Sequence, residues 1–433
     1  MGETMATQKK LKVSQMAENL IGSEIIKLAA EIQQRMKTGE KIYNMTIGDF
    51  DPKIFPIPKE LEEEIIKAYR NNETNYPAAN GIERLRIAAQ HFIKKHQDLD
   101  YGLDEFLIAG GGRPLIYATY ITLLDPGDKV IYPIPSWNNN HYTHLSSCQK
   151  IEVLTTPENN FMPTAAELAP HVKDATLIAL CSPLNPTGTA FTKNNLEEIC
   201  DLVITENNRR GADEKPLYIL YDQLYWTLTF GETRHYNPVS LRPELRDYVI
   251  YIDGISKAFS ATGIRVGWSF GPKQLIDKMK SILSHIGAWS PKPEQVASAQ
   301  FLMLDDAVDS FLRDFKFKIQ QRLDGFYAGF KKLQEKSFPV ECIAPQAAIY
   351  LTVRIDLRGT ITREGKTINT MADVAAYLLD EAKMALVPFY AFGSEKNSAW
   401  FRLSVGTTKM EDVEACILSL ENALNKLKFE TGK

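Results

Sequence analysis

From Phe106 onwards the sequence repeats one pattern, in which a short apolar run is followed by a turn and then by a segment with helical spacing. Seven runs are candidate strands: Phe106–Ala109, Lys129–Tyr132, Ile151–Thr155, Thr176–Leu180, Leu217–Tyr221, Tyr248–Ile252 and Ile264–Phe270. Helical segments separate several of them, at Pro114–Leu124, Trp137–Ser146 and Lys193–Asn207. Such alternation predicts an α/β fold with a mostly parallel seven-stranded sheet and helices on both faces. The last run follows too closely for a crossover, so we expect it to be antiparallel to its neighbours.

The flanking sequence predicts a second, smaller α+β unit. Helices are expected at Glu18–Lys37, Pro58–Arg70, Ile82–Lys95, Pro293–Lys336, Met371–Met384 and Met410–Leu427, and further strands at Ile42–Gly48, Ala348–Leu357 and Ala399–Val405. We predict that residues 1–45 form an N-terminal arm and part of the small domain. Residues 46–295 would form the large domain, and residues 296–433 the small C-terminal domain.

Composition excludes several functional classes. The 433 residues carry a formal net charge of −4, so no basic surface for nucleic acid is expected. No run reaches the roughly 18 consecutive apolar residues of a membrane span. The five cysteines are dispersed, with neither a CxxC pair nor zinc-like His spacing, which predicts free thiols and no metal site. These features predict a cytoplasmic protein that acts on small molecules.

One lysine occupies an unusual place for a solvated charge. Lys257 lies in the turn that follows the sixth strand candidate, within the stretch Asp253–Gly271. A desolvated amine loses its proton more easily and becomes a nucleophile, as Schiff-base chemistry requires. Arg265, which follows it, offers a planar set of donors that suits a phosphate group.

Polar groups also follow three other strand candidates. Asn185 comes after the fourth, Asp222 and Tyr225 after the fifth, and the turn GGGRP after the first. In open α/β sheets, ligands bind in the crevice at the carboxyl ends of the strands. The sequence therefore predicts a ligand site that brings these groups together with the lysine.

Seven short motifs carry a resemblance to a known family. They are NYP with Tyr76, GGRPL, PSW with Trp137, SPLNPTG, YDQLY, SKAFSATGIRVGW and FRLSVG, and they span most of the chain. In order and content they resemble the fold-type I aminotransferases of class I/II, the aspartate aminotransferase-like enzymes that use pyridoxal 5'-phosphate (PLP). The resemblance implies the PLP-dependent transferase fold type I, with PLP bound in the large domain.

The resemblance assigns three residues to catalysis. Lys257 would hold the cofactor as a Schiff base and then move protons between the substrate and the cofactor. Asp222 would keep the pyridine nitrogen protonated, so that the ring withdraws electrons. Tyr225 would donate a hydrogen bond to the cofactor's phenolic oxygen, and Asn185 would bind the same oxygen.

It also implies a set of cofactor contacts. Trp137 would stack on the ring, and the phosphate would be bound by the remaining groups: Gly112, Arg113 and Pro114 at a helix start, Ser256, Arg265 and Tyr76. Tyr76 would come from a neighbouring subunit, which implies a homodimer. Many family members have Ser or Thr where this chain has Gly254, so one hydroxyl contact would be lost or replaced by Ser256.

The substrate carboxylate would be bound by Arg402, with Gly48, Trp137 and Asn185 completing the substrate site. Arg suits a carboxylate because its guanidinium forms two parallel hydrogen bonds. Arg113 has two possible roles. It could contact the phosphate, or it could bind a carboxylate on the substrate side chain.

These features predict an aminotransferase of amino acid metabolism that exchanges an amino group between an L-amino acid and a 2-oxo acid. Aspartate with 2-oxoglutarate is the preferred pair, because PSWNNNH resembles the PSWGNH of aspartate enzymes. Aromatic amino acids, kynurenine or alanine are alternative donors, and a PLP-dependent β-lyase is an alternative reaction on the same fold. A PLP-binding transcriptional regulator would need a DNA-binding module, for which the sequence before residue 14 leaves no room.

Overall fold

The computed structural model describes residues 11–20 and 24–429. The strands are β1 Tyr43–Asn44, β2 Phe106–Ala109, β3 Lys129–Ile134, β4 Gln149–Leu154, β5 Leu177–Cys181, β6 Tyr218–Asp222, β7 Val249–Gly254, β8 Gly267–Phe270, β9 Val340–Cys342, β10 Tyr350–Ile355, β11 Met384–Ala385, β12 Val387–Pro388 and β13 Trp400–Ser404. The helices are α1 Gln15–Glu18, α2 Glu24–Lys37, α3 Lys59–Arg70, α4 Glu83–Gln97, α5 Gly112–Leu123, α6 Asn139–Leu145, α7 Ala165–Leu168, α8 Lys193–Arg209, α9 Pro238–Leu241, α10 Ile255–Ala258, α11 Lys273–Ile286, α12 Lys292–Leu302, α13 Asp305–Glu335, α14 Met371–Glu381 and α15 Met410–Leu424.

A seven-stranded sheet in the order β2-β8-β7-β6-β5-β3-β4 forms the centre of the molecule. The five strands from β3 to β7 are parallel, whereas β8 runs antiparallel to both β7 and β2. Strands β2, β7 and β8 are buried along their whole length, as expected of a sheet covered on both faces. The predicted architecture and the antiparallel seventh strand are therefore confirmed.

Several boundaries around the sheet differ from the prediction by a few residues, and two of these lie at the turns that carry Arg265 and Gly112. Strand β8 begins at Gly267 rather than at Ile264, because Thr262–Ile264 forms a 3-10 turn and Arg265 has a left-handed φ of 60°. Helix α5 begins at Gly112, two residues before the predicted start at Pro114, and Gly111 with φ 92° precedes it. Both differences arise at turns, where local backbone conformation decides the boundary.

A smaller unit packs beside the sheet. It contains a four-stranded antiparallel sheet in the order β12-β13-β10-β9, and the parallel pair of β1 and β11 joins the N-terminal segment to it. The side chains of α13 belong to two cores: Leu312 packs in that of the large sheet, and Phe315 packs in that of the small unit. The change of core therefore lies inside α13, and the predicted division at residue 295 remains a prediction.

Three predicted elements were wrong in extent. The segment Pro293–Lys336 is two helices rather than one, since the chain leaves the helix after Leu302 and Asp305 begins α13 with acidic residues in its first turn. The predicted strand Ile42–Gly48 is reduced to β1, and the carbonyl of Gly48 accepts a hydrogen bond from Lys257 instead of from a neighbouring strand. The predicted helix Glu18–Lys37 is divided into α1 and α2; residues 21–23 and the arm at residues 1–10 lie outside the described part of the chain.

Across residues 11–20 and 24–429, no helix has both the length and the apolar character needed to cross a bilayer. In the same ranges, no three His, Cys, Asp or Glu side chains are grouped so that they could hold a metal ion.

Gly254 explains one departure from the family pattern. A Cβ atom at this position would lie 2.7 Å from the Cα of Gly267 and 2.8 Å from the carbonyl oxygen of Val266. Any side chain here would push β7 away from β8. Strand pairing in this structure therefore requires glycine at the position where the resemblance leads us to expect Ser or Thr.

We expect Gly254→Ser to destabilise the protein by about 1–3 kcal/mol, the typical cost of overpacking a buried site. Chemical denaturation of the apoprotein measures the free energy of unfolding. Gly211→Ser is the matched control, because a Cβ there meets only Glu214 at 3.8 Å. Equal stability of the two variants would contradict the steric explanation.

Candidate active site

A cleft of about 470 Å³ opens at the carboxyl ends of β5, β6 and β7, beside the start of α5. We call it the central cleft. Ten of the predicted site residues line it: Gly48, Gly112, Arg113, Trp137, Asn185, Asp222, Tyr225, Ser256, Lys257 and Arg265. Residues from six separate chain segments therefore meet where the sheet topology predicts a ligand site.

Lys257 lies on α10, the single helical turn that follows β7. Its Nζ donates a 2.8 Å hydrogen bond to the backbone carbonyl of Gly48, and none of the described carboxylates forms an ion pair with it. Burial lowers the pKa of the Lys257 amine to about 8; the positive charges of Arg402, Arg113 and Arg265 act in the same direction, and the charge of Asp49 opposes them. The amine is thus set up to be a nucleophile near neutral pH.

Asp222 ends β6 and faces the same cleft. Burial raises the pKa of its carboxyl to about 6, while the backbone N–H of Leu224, which donates a 3.1 Å hydrogen bond to Oδ1, opposes that shift. A buried carboxylate without a cationic side chain bonded to it favours a positively charged ligand atom. A protonated ring nitrogen would meet that requirement.

Arg402, on β13, connects the small unit to the cleft. Its Nη1 donates a 2.9 Å hydrogen bond to Oδ1 of Asn185, its Nη2 donates a 2.6 Å bond to the carbonyl of Thr46, and its buried Nε has no partner. The side chain is only 1% exposed, and burial lowers its pKa. A buried guanidinium with no carboxylate bonded to it and an unused donor is suited to bind an anion.

Tyr225 was predicted to hold a cofactor oxygen, and its surroundings add a second tyrosine. Its hydroxyl lies 2.6 Å from the hydroxyl of Tyr350, which begins β10 in the small unit. Both side chains are almost fully buried. This contact is a hydrogen bond across the two units at the edge of the cleft.

The other end of the cleft carries positive charge. Arg265 donates a 2.8 Å hydrogen bond to the carbonyl of Gly110 and a 2.5 Å bond to that of Thr262. A Cβ at Gly111 would lie 2.3 Å from its Nη2, so the turn before α5 must be glycine for the arginine to pack there. With the helix start at Gly112, these groups are suited to bind a phosphate or another anion.

The remaining predicted residues are placed differently. Pro114 and Arg402 are not among the residues that line the cleft, although Arg402 bonds to Asn185, and Tyr76 lies outside it. Tyr76 is 82% exposed and packs edge-on against Trp289 at 5.3 Å. Arg113 is exposed at the cleft, with its guanidinium 5.5 Å from the ring of Trp137.

Sequence reasoning missed several residues at the site. Asp49 lies beside Lys257, and its Oδ1 accepts a 2.7 Å hydrogen bond from the hydroxyl of Thr262. Its position directly after Gly48 in the IGDFDP loop was a signal that could have identified it. Tyr350 lies in an ordinary alternating strand, and no local pattern distinguishes it.

Comparisons with known proteins agree with this geometry. The family described as aminotransferase class I and II matches residues 40–418. A probable aspartate/prephenate aminotransferase of Rickettsia felis is 32% identical over 412 residues, which cover 94% of each chain. An aspartate aminotransferase of Rhizobium meliloti is 28% identical over 396 residues, which cover 91% of this chain and 92% of that protein.

The chain belongs to the class I and II aminotransferases. A crystal structure of the aspartate aminotransferase from Rhizobium meliloti aligns with a TM-score of 0.87 and 25% identity, covering 97% of this chain and 100% of the other. The predicted family and fold type I are therefore confirmed. The protein is a PLP-dependent transaminase.

The residues of the aminotransferase cleft fit PLP. A buried carboxylate at Asp222 suits the pyridinium nitrogen, the nucleophilic amine of Lys257 suits the aldehyde, and the positive end at Arg265 suits the phosphate. PLP, when bound, supplies an electron-withdrawing ring that stabilises the carbanion formed at the substrate α-carbon. Lys257 would then be the group that removes and returns the α-proton.

The depressed pKa of the Lys257 amine predicts the pH dependence of PLP loading. The unprotonated amine reacts, so the rate of loading of apoprotein should rise with pH around a midpoint near 8, well below the usual lysine value of 10.5. Stopped-flow absorbance of the visible band measures it. Lys257→Ala should give no visible band and no transamination while unfolding like the wild type. A midpoint near 10 would contradict the buried, cation-flanked environment.

Proposed function

We propose that this aminotransferase transfers the amino group of L-aspartate to a 2-oxo acid such as 2-oxoglutarate, in amino acid biosynthesis. The observation that carries the proposal is a second arginine, Arg113, that is available to a substrate carboxylate in addition to Arg402, whereas Arg265 is bonded to two backbone carbonyls. Arg402 is buried and suits the α-carboxylate, which every amino acid substrate has. Arg113 is exposed at the cleft and contributes positive charge at the Lys257 amine, so it is available for a side-chain carboxylate.

The relatives support a dicarboxylic substrate. The Rhizobium meliloti protein is described as an aspartate aminotransferase, and the Rickettsia felis protein as a probable aspartate/prephenate aminotransferase. Aspartate, 2-oxoglutarate and prephenate each carry two carboxylates. All three therefore suit a cleft with two arginines, and prephenate is a second candidate acceptor.

Other amino donors, and a β-lyase reaction, fit the pair of Arg402 and Arg113 less well than aspartate transamination does. Alanine or phenylalanine as donor leaves Arg113 without a substrate carboxylate to bind. A β-lyase would release an oxo acid without any amino acceptor. A panel of donors and acceptors distinguishes these readings, and faster turnover of phenylalanine or alanine than of aspartate would eliminate the aspartate proposal.

Arg113→Met tests the role of the second arginine. We expect kcat/KM for aspartate to fall by about 10- to 100-fold, the effect of losing a charged hydrogen bond, while kcat/KM for alanine is unchanged. Steady-state assays with both donors measure this difference. Arg402→Lys is the matched control, because it should reduce both donors by similar factors. Equal losses for the two donors in Arg113→Met would instead indicate a phosphate-binding role.

We also propose a cytoplasmic homodimer in which Tyr76 contacts the cofactor phosphate of the neighbouring subunit. Tyr76 is the most exposed of the large apolar side chains among the described residues, and it lies outside the cleft of its own chain. Its neighbour Asn75 is bonded to Lys292, which anchors the loop on α12. An anchored loop that presents an exposed tyrosine is suited to a contact between subunits.

Mixed dimers test this arrangement. Lys257→Ala lacks the amine, and Tyr76→Phe should weaken PLP binding about 10-fold through one lost hydrogen bond. If Tyr76 acts across the interface, a hybrid of the two variants contains one native site and regains tight PLP binding at half of its sites. PLP titration of the purified hybrid measures this. Binding that remains weak at every site would place Tyr76 in its own subunit's site, and tight binding by the Tyr76→Phe homodimer would place it outside both.

A further inference from the structure

The geometry points to Tyr350 as a positioning residue that connects the carboxylate-binding Arg402 to the cofactor-binding Tyr225. When a substrate carboxylate binds to Arg402, Tyr350 would transmit the change in charge through Tyr225 to the phenolic oxygen of the cofactor. The inference rests on the roles proposed for Tyr225 and Arg402. It is independent of the substrate side chain, because every amino acid substrate supplies the α-carboxylate.

Three contacts place Tyr350 at this junction. Its hydroxyl lies 2.6 Å from that of Tyr225, and the two rings meet edge-on at 5.6 Å. The guanidinium of Arg402 lies 4.7 Å from the centre of its ring. Tyr350 is 1% exposed, so these contacts are made without competition from water.

A third neighbour limits how far the ring can move. A Cβ added at Gly48 would lie 2.7 Å from the Tyr350 hydroxyl oxygen. Gly48 also accepts the hydrogen bond from Lys257, so its glycine backbone borders both side chains. The Tyr350 hydroxyl is therefore held between Tyr225 and the loop that contacts the active lysine.

The direction of the hydrogen bond follows from what each hydroxyl must do. Tyr225 has one proton, and if it donates that proton to the phenolic oxygen of PLP it can only accept from Tyr350. The positive charge of Arg402 on the ring makes Tyr350 the better donor. Burial raises the pKa of both hydroxyls and the charge of Arg402 lowers both, whereas the contact between them lowers the pKa of Tyr350 and raises that of Tyr225, in agreement with Tyr350 as the donor.

The hydrogen bonds from Tyr350 to Tyr225 and from Tyr225 to the phenolic oxygen affect the proton affinity of the Lys257 nitrogen. A strong donor at the phenolic oxygen draws negative charge away from the nitrogen of Lys257 and so lowers the pKa of that nitrogen. A carboxylate bound at Arg402 neutralises the guanidinium, which weakens Tyr350 and then Tyr225 as donors. Substrate binding would therefore raise the proton affinity of the Lys257 nitrogen, as needed for it to accept a proton from the incoming amine.

The test is an absorbance titration of the PLP-loaded protein, which follows protonation of the Lys257 nitrogen without any turnover. Tyr350→Phe keeps the ring over Arg402 and removes only the hydroxyl. We expect it to raise the titration midpoint by about 0.3–1 pH unit, and to reduce the further rise caused by saturating succinate, an unreactive carboxylate.

The double variant Tyr225→Phe/Tyr350→Phe separates this linkage from a general structural effect. If Tyr350 acts through Tyr225, the double variant has the midpoint of Tyr225→Phe alone. Tyr377→Phe is the matched control, because it removes another buried hydroxyl of the small unit, which donates to the carbonyl of Ala423 at 2.8 Å. It should leave the midpoint unchanged.

Two results would overturn the inference. One is a midpoint in Tyr350→Phe equal to that of the wild type, and the other is additive shifts in the double variant. If Tyr350→Phe does not fold, Tyr225→Phe still tests the inference. The inference requires that succinate raise the titration midpoint of Tyr225→Phe by less than it raises that of the wild type. If Tyr225→Phe alone leaves the midpoint unchanged, the proposed role of Tyr225 is wrong and the linkage is rejected with it, whereas the aspartate proposal is judged separately by the donor panel.

Discussion

The structure depends on holding one amine out of water without an ion pair to any carboxylate of the described residues. Lys257 meets the cleft on a single turn of helix, bonds to a backbone carbonyl, and is subject to the charges of Asp49 and three arginines. Such an arrangement costs stability, because a buried cation is favourable only when it is paired. Both β7 and β8, which flank the lysine, are buried along their lengths, and that burial contributes stability that offsets the cost.

The two units of the fold meet through hydrogen bonds that also belong to the site. Arg402 on β13 bonds to Asn185 beyond β5, and Tyr350 on β10 bonds to Tyr225 beyond β6. Each pair joins a side chain of the small unit to one at the carboxyl edge of the large sheet. The relative position of the units is therefore coupled to the groups proposed to hold the cofactor oxygen and the substrate carboxylate.

Much of the site could be predicted because its residues follow strand ends in characteristic motifs. Asp222, Asn185 and Lys257 lie at the carboxyl edge of the sheet, as parallel topology requires. Tyr350 could not be predicted in this way, because it belongs to a plain strand whose only signal is alternation. The single helix expected over Pro293–Lys336 failed for a related reason, since the break after Leu302 is set by packing and by the acidic start of α13.

The sequence alone determined the family, the order of strands and helices, and the residue types at the turns, because these depend on local periodicity and on short motifs. Only the tertiary structure decided which side chains form hydrogen bonds with each other and which charged groups lie close together. The hydroxyl pair of Tyr225 and Tyr350, the carbonyl that Lys257 contacts and the exposure of Arg113 all depend on segments far apart in the chain. Electrostatic interactions depend on distance and burial in space, and local sequence specifies neither.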